Sequence, residues 1–407
     1  MQLEQAIKKG RIKEVFSDIQ SQFKAAQKWT YMDISNQSII SNATREAINK
    51  YIDDVQYNGE SSTNQWFNEL ESVREKFATL INATPEEIAF TKNVSEGLNI
   101  IANAFPWKKG DNVIICKDIE HPNNIYVWYN LEKLGVEVRF VQSNNGVVSL
   151  EHFQKKVDQN TRMISISSVS FVPGIRTNLK QLSKFCCKNN IFLLVDAVQS
   201  CGIFDLNVKD IPVDAIVTST AKGLLGLFGF GFLYCKKKWI DKLHPVYLAR
   251  HSVNLSFSQH QETVGGSDFK LYDTAKRFEI GDINIAGAFA IDASLDLLLS
   301  VGVKNIEQHV LKLSGRLTNE LQKMGFKISS GKTAENMSNI VTVGEWGSDE
   351  HFMTEDPKLT ELHYYLLENK IRTSLRRGLV RFSFHLYNTV KEVDDVLNLI
   401  EMKFVQK

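Results

Sequence analysis

A chain of 407 residues with 43% apolar content can bury large cores, and its length predicts two domains. Its 48 basic and 47 acidic side chains nearly cancel, which excludes a global field that would recruit nucleic acid or a membrane surface. Five cysteines at no metal-ligand spacing argue against a disulfide framework and against a cysteine metal site. The opening stretch MQLEQAIKKGRIKEVF is charged throughout, and no apolar run approaches the ~20 residues of a bilayer span, so a cytoplasmic protein without a membrane segment is expected.

Residues 1–30 read as a helical arm of mixed charge. An extended entry follows at 31–35, then helical patterns at 42–51 and 66–80 and a short strand at 88–91. Asn93-Val94-Ser95-Glu96 comes next, with small polar residues opening a helix. Such a start offers free N–H groups and a partial positive charge that suit a phosphate dianion, although plain capping by Asn93 or Ser95 accounts for the same pattern. A buried strand at 112–116 leads to Glu120-His121. Further strands at 137–142 and 163–167, with a helix at 150–157 between them, give the alternation that a parallel sheet requires.

The stretch 191–234 is the most informative. Ile191 to Val195 is an apolar run without helical period, which reads as a strand buried on both faces, and Asp196 stands at its end. A second strand at 215–219 ends just before Lys222. Ligands of open α/β sheets bind beyond the carboxyl ends of strands, so this acid and this amine, 26 positions apart, are expected at one rim. Taken singly, the Asp reads as a cap and the Lys as a solvated loop residue. Together with Gly223, Gly226, Gly229 and Gly231 they read as a cofactor site. A lysine amine can hold pyridoxal phosphate as a Schiff base, and a carboxylate facing the pyridine nitrogen keeps it protonated.

Residues 230–235 should return antiparallel, and 251–272 reads as a long polar loop. Beyond residue 300 the pattern becomes a helix at 303–324, strands at 326–329 and 340–343, and a helix at 393–404. Val380 and Phe382 alternate with Arg381, so a strand would bury the first two and project the arginine from its other face. A guanidinium fork matches a carboxylate in two parallel hydrogen bonds. Arg372, Arg376 and Arg377 read as a solvated surface.

Three motifs carry a family resemblance: Asp196-Ala197-Val198-Gln199, Ser219-Thr220-Ala221-Lys222, and Gly229-Phe230-Gly231-Phe232-Leu233-Tyr234. The chain resembles, from about residue 31 to its end, the class V aminotransferase group of fold type I pyridoxal-phosphate enzymes. That group includes cysteine desulfurases and kynureninase-like and isopenicillin-epimerase-like proteins. The resemblance implies an α/β fold with a large domain at 31–295, built on a mixed, mostly parallel sheet flanked by helices, and a smaller α+β domain at 296–407. It implies a homodimer, pyridoxal 5'-phosphate as cofactor, and an amino acid as small-molecule substrate.

The resemblance also assigns roles. Lys222 would hold the cofactor and move the Cα proton, and His121 would stack on the ring and assist proton transfer. Val94 through its backbone and Ser95 through backbone and hydroxyl would hold the phosphate, and Asp196 the ring nitrogen. Gln199 and Ser219 complete the cofactor set, and Arg381, in an R-x-S-x-x-x-Y-N pattern, would hold the substrate α-carboxylate. The implied reaction is aminotransfer, with β-elimination at a C–S bond or epimerisation as alternatives.

Departures from the family pattern are specific. No cysteine follows Cys235, which argues against a desulfurase with a nucleophilic thiol in its small domain. Ala221 replaces a common His before the lysine, Phe171 a common Asn near the ring hydroxyl, and Ile34-Ser35 a common Asn-Ala pair, so Ser35 and Asn36 receive no role. Asp282 replaces a Thr or Ser that would reach a phosphate across the dimer. It is expected to turn away, onto Arg277 or Lys276, or to contact the phosphate only through its N–H, since like charges at ~4 Å repel by about 4 kcal/mol at an effective dielectric near 20. A non-catalytic binding protein of this fold would lack Lys222 or Asp196. A dinucleotide oxidoreductase would need a G-x-G-x-x-G opening a helix, and none is present.

Overall fold

The computed structural model describes residues 16, 18–59, 63–254, 269–347 and 353–405. The predicted arm at 1–30 lies largely outside them, and its described part includes a helix at Lys24–Lys28. Strand β1 (Thr30–Tyr31) is the extended entry. Strands β2 (Ile88–Thr91), β3 (Asn112–Cys116), β4 (Glu137–Val141), β5 (Thr161–Ser167), β6 (Phe192–Asp196), β7 (Ala215–Ser219) and β8 (Gly231–Cys235) form one sheet in the order β2-β8-β7-β6-β5-β3-β4. Strands β3 to β7 run parallel, and β8 runs antiparallel to both β7 and β2. The sheet is thus mixed and mostly parallel, as expected. All residues of β3, β6 and β8 are buried, and the more exposed β4 lies at the edge.

Helix packing brings the first turn of Val94–Ala104 close to the sheet. A Cβ on Gly97 would come within 2.7 Å of a Val217 methyl on β7, so only glycine permits this approach. Gly231 does the same at the start of β8, where a Cβ would meet the Thr218 carbonyl at 2.6 Å. The apolar helix Ile285–Val301, with buried residues on most of its faces, packs against Asn42–Asp53 and Thr63–Ile81. Among the described residues no single helix is long and apolar enough to cross a membrane.

The long polar loop is bounded by a small antiparallel pair, β9 (Val253–Asn254) with β10 (Lys270–Leu271). Residues 255–268 of it lie outside the described residues. Near the carboxyl end, β11 (Ile340–Val343), β12 (Ile371–Arg372), β13 (Ser374–Arg376) and β14 (Leu379–Ser383) follow, and β14 is the middle strand of the sheet β11-β14-β13. The strand expected at 326–329 is reduced to a single bridge, Ile328 to Val343. The helix expected at 393–404 begins earlier, at Val390, because Thr389 and Glu392 form a capping box. The helix expected at 150–157 ends at Gln154.

Strand β1 pairs in parallel with β12, and Asp33 bridges to Ser383. The entry segment therefore lies against residues 371–383, more than 300 positions away. That pairing covers the hairpin β13–β14, so all five residues of β14 are buried, Arg381 included. The alternation of Val380 and Phe382 with Arg381 holds, but the second face meets protein instead of water.

Candidate active site

Five strands deliver their carboxyl ends to one rim. Asp196 ends β6, Lys222 follows β7, Asn93 to Ser95 follow β2, Glu120 and His121 follow β3, and Phe171 follows β5. The turn before β8 closes the ring with Phe228 and Gly229. All of these except the enclosed Glu120 line a cavity of about 310 Å³. Val94, Ser95 and His121 face it from one side, and Asp196, Gln199, Ser219 and Lys222 from the other. Seven of the eight residues selected from the sequence thus share one cavity, and the eighth, Arg381, touches its wall through Phe171.

Asp196 is buried, and its Oδ1 accepts the Val198 N–H at 3.0 Å. Burial pushes its carboxyl up to about 6, against the lowering effects of the Val198 bond and of Lys222. Lys222 moves the other way: burial first, then the Arg381 charge, bring its amine down to about 8. The two shifts follow from one low-dielectric setting, which disfavours charge on either group.

At the helix start, the Asn93 side chain accepts from Glu96 N at 2.9 Å and so caps one orphan donor. Capping and anion binding, set as alternatives by the sequence, therefore divide between residues. Val94 and Ser95 lie in the first turn, where N–H groups have no intrahelical acceptor, at the positive end of an 11-residue helix. His121 is held by Asn123, whose N–H meets Nδ1 at 3.3 Å, and by Phe171, edge-on with ring centroids 5.2 Å apart. With Nδ1 accepting, the neutral ring carries its proton on Nε2.

Arg381 is 1% exposed. Its Nη1 donates to the Phe171 carbonyl at 2.9 Å, its Nε to Ser374 Oγ at 3.2 Å, and its Nη2 lies 3.8 Å from Asp33. Gln199 Nε2 donates to the Ser35 carbonyl at 3.0 Å, and Ser38 N to the Ala221 carbonyl at 2.8 Å. Segment 33–38 therefore braces both the Asp196 and the Lys222 turns, a role no local pattern announced.

Three sequence expectations are corrected here. Arg372, Arg376 and Arg377 are not a solvated surface. Arg372 stacks on Trp29 at 4.2 Å, Arg376 donates to Asn36 Oδ1 at 2.8 Å, and Arg377 bonds the Asp118 carbonyl and lies over Trp346. Asp282 turns away from the cavity, but onto neither predicted partner. Arg277 is engaged by Asp241 and Lys276 by Glu71, and Asp282, fully exposed, lies 3.6 Å from His251 Nε2. Ser35 and Asn36 also acquire a role next to the site, Ser35 by accepting from Gln199 and Asn36 by accepting from Arg376, although neither lines the cavity. Glu120 was missed as well: it is fully enclosed, accepting from Ser167 N and Oγ, both at 2.6 Å, and from Asn124 Nδ2 at 2.8 Å.

A helix start with free N–H groups, a buried carboxylate and an amine of lowered basicity, all on one cavity, suit an anionic, carbonyl-bearing heteroaromatic cofactor. The donor set fits pyridoxal 5'-phosphate. Comparison with known proteins agrees. The aminotransferase class-V family matches residues 30–396. A protein of Methanothermobacter thermautotrophicus described as a probable cysteine desulfurase is 31% identical over 333 residues, covering 80% of this chain and 81% of its own. An uncharacterized aminotransferase of Schizosaccharomyces pombe is 28% identical, covering 93% and 92%. Among solved structures, an apo cysteine desulfurase of Thermococcus onnurineus superposes with a TM-score of 0.80 at 25% identity, covering 95% and 97%. A cystine C–S lyase does so with 0.81 at 21%, covering 93% and 98%. This chain belongs to the aminotransferase class-V family and is a pyridoxal-phosphate-dependent enzyme.

Proposed function

We propose that the enzyme transfers the amino group of an amino acid, labilising a bond at its Cα. The observation that carries this reading is the meeting of Lys222, brought down to about 8, with buried Asp196 on the cavity that Val94 and Ser95 cap. Pyridoxal phosphate, when bound, supplies an electron sink for the Cα bond pair. Val94 and Ser95 would hold its phosphate, Asp196 its ring nitrogen and His121 its ring face, with Gln199 and Ser219 bounding the remaining edge. Lys222 Nζ would attach the cofactor and, once released, take the Cα proton and return it, a transfer worth roughly 10² to 10⁴-fold. Arg381 would orient the substrate by its α-carboxylate, and its enclosure at the Phe171 carbonyl fixes the angle of approach.

A persulfide-forming desulfurase is disfavoured by the thiols. None of the five cysteines lines the cavity. Burial raises the thiols of Cys116, Cys186, Cys201 and Cys235, that of Cys201 to about 12, which starves each of the thiolate that attacks. A β-eliminating C–S lyase or an epimerase would use the same cavity without a thiol and stands as the second reading. Five free cysteines, four of them buried, support a cytoplasmic enzyme. Exposed Phe228 beside the cavity, with Tyr247 and Leu248, supports a homodimer. The test is to incubate the holoenzyme with single amino acids and a 2-oxo acid. Stoichiometric appearance of the new amino acid is expected; release of sulfide or ammonia without transfer would move the assignment to a lyase.

A further inference from the structure

The hairpin β13–β14 projects two guanidinium groups from one face, next to the cavity but outside its lining. Ser374 pairs with Arg381 across the hairpin, and Arg376 follows Ser374 by two positions. Residues i and i+2 of a strand share a face, and so do directly opposed residues, so Ser374, Arg376 and Arg381 all project from the same side. Two positions along a strand are about 7 Å, a separation that long arginine side chains can reduce to the span of a short diacid. Both arginines are held in place by neighbours. Arg381 is fixed by Phe171 and Ser374, and Arg376 donates Nη2 to Asn36 Oδ1 and Nη1 to the Leu375 carbonyl at 2.7 Å.

Next to Asn36, the partner of Arg376, lies an unsatisfied hydroxyl. Ser35, beside Asn36, is 2% exposed, and its Oγ has no hydrogen-bond partner among the described residues. A buried hydroxyl of this kind is uncommon and suits an incoming acceptor. The Arg376 charge also reaches the reacting amine: it lowers the basicity of Lys222, after burial and Arg381, and adds to the lowering of Arg381 to about 10. Asp33, 3.8 Å from Arg381 Nη2, already offsets part of the lowering of both guanidinium groups, and a further anion beside Arg376 would offset more.

Resting on the proposed reading, in which Arg381 takes the α-carboxylate, we propose that Arg376 takes a second anion on the substrate's side chain, so that the preferred substrate is a short acidic amino acid. The side-chain anion is a carboxylate or another oxyanion of similar reach. Arg376 is then a specificity residue, and it comes from a hairpin whose two-residue turn at Arg377-Gly378, both with positive φ, keeps it at the rim.

The experiment compares isosteres. The holoenzyme is titrated with aspartate against asparagine and glutamate against glutamine, following the cofactor's absorption to obtain Kd, with initial rates measured in parallel. A charge-assisted pair is worth roughly ten- to a hundred-fold in affinity, so one acid should bind tighter than its amide by about that factor. Arg376→Gln should collapse the acid-to-amide ratio, and Arg376→Lys should restore part of it. Cysteine sulfinate against cysteine separates carboxylate from general oxyanion recognition. Equal binding of acids and amides by the wild-type enzyme would overturn this proposal even if the variants failed to fold, and so would an unchanged ratio in Arg376→Gln. Absence of any spectral response to any amino acid would instead overturn the underlying reading of the site.

Discussion

Lys222 and Asp196 show what burial does to a pair of titratable side chains. In water the amine would be charged up to about pH 10.5 and the carboxyl ionised from about pH 4; here the amine is down to about 8 and the carboxyl up to about 6. The lowered amine is the better nucleophile near neutrality, because more of it is unprotonated. Covalent capture of pyridoxal phosphate by the apo protein should therefore accelerate as pH rises through about 8. Lys222→Ala should bind the cofactor without attachment and lose turnover by at least the roughly 10² to 10⁴-fold of a lost general base. Borohydride reduction followed by peptide mapping checks the first point, and a reduced cofactor recovered on a different lysine would refute the assignment.

At the scale of elements, the connection from β3 to the helix Asn123–Tyr129 does more than carry His121. Its Glu120 clasps Ser167 at the end of β5, and Ser167 is in register with Asp196 on β6. Burial raises the Glu120 carboxyl to about 7, the Ser167 and Asn124 bonds oppose this, and Asp196 adds to it. A carboxyl raised on folding binds more protons folded than unfolded, so its contribution to stability is full below about 4.5 and is lost as pH climbs through about 7. Asp196 acts with the same sign over a window ending near 6. The urea midpoint of the apo protein should fall between about pH 4.5 and 7. Glu120→Gln should flatten the decline between about 6 and 7, at a general cost of roughly 1 to 3 kcal/mol for the mismatched Ser167 N–H. An unchanged slope in that variant would place the titration elsewhere.

For the molecule as a whole, the distribution of cysteine separates chemistries. All five thiols lie at or before Cys235, and residues 236–407, which build the hairpin wall of the site, contain none. A chain with every cysteine changed to serine or alanine should keep the turnover of its folded, cofactor-loaded fraction. The expected change is a stability loss of roughly 1 kcal/mol per buried site, read from the denaturation midpoint. Loss of turnover with fold and cofactor attachment intact would identify a thiol in the reaction and return the enzyme to the desulfurases.

The sheet and its rim were legible from local pattern. Runs such as Ile191 to Val195 are too apolar and too short for anything but buried strands, and a strand end in an α/β sheet is a fixed address for Asp196, Lys222, His121 and Ser95. The sequence by itself therefore determined the fold class, the cofactor and the absence of a thiol from the last 172 residues, 236–407. What only the tertiary structure decided depends on pairings between distant segments. Ser35 and Asn36 have no periodicity to announce them and come to brace Gln199 and Arg376 because β1 adds to β12 and Asp33 bridges to Ser383. Glu120 received no role from the sequence, and three arginines read as solvated because four arginines crowd into ten residues. Their partners, Trp29, Asn36 and the Asp118–Trp346 pair, reverse that reading, since what covers a residue is not encoded in single-sequence pattern.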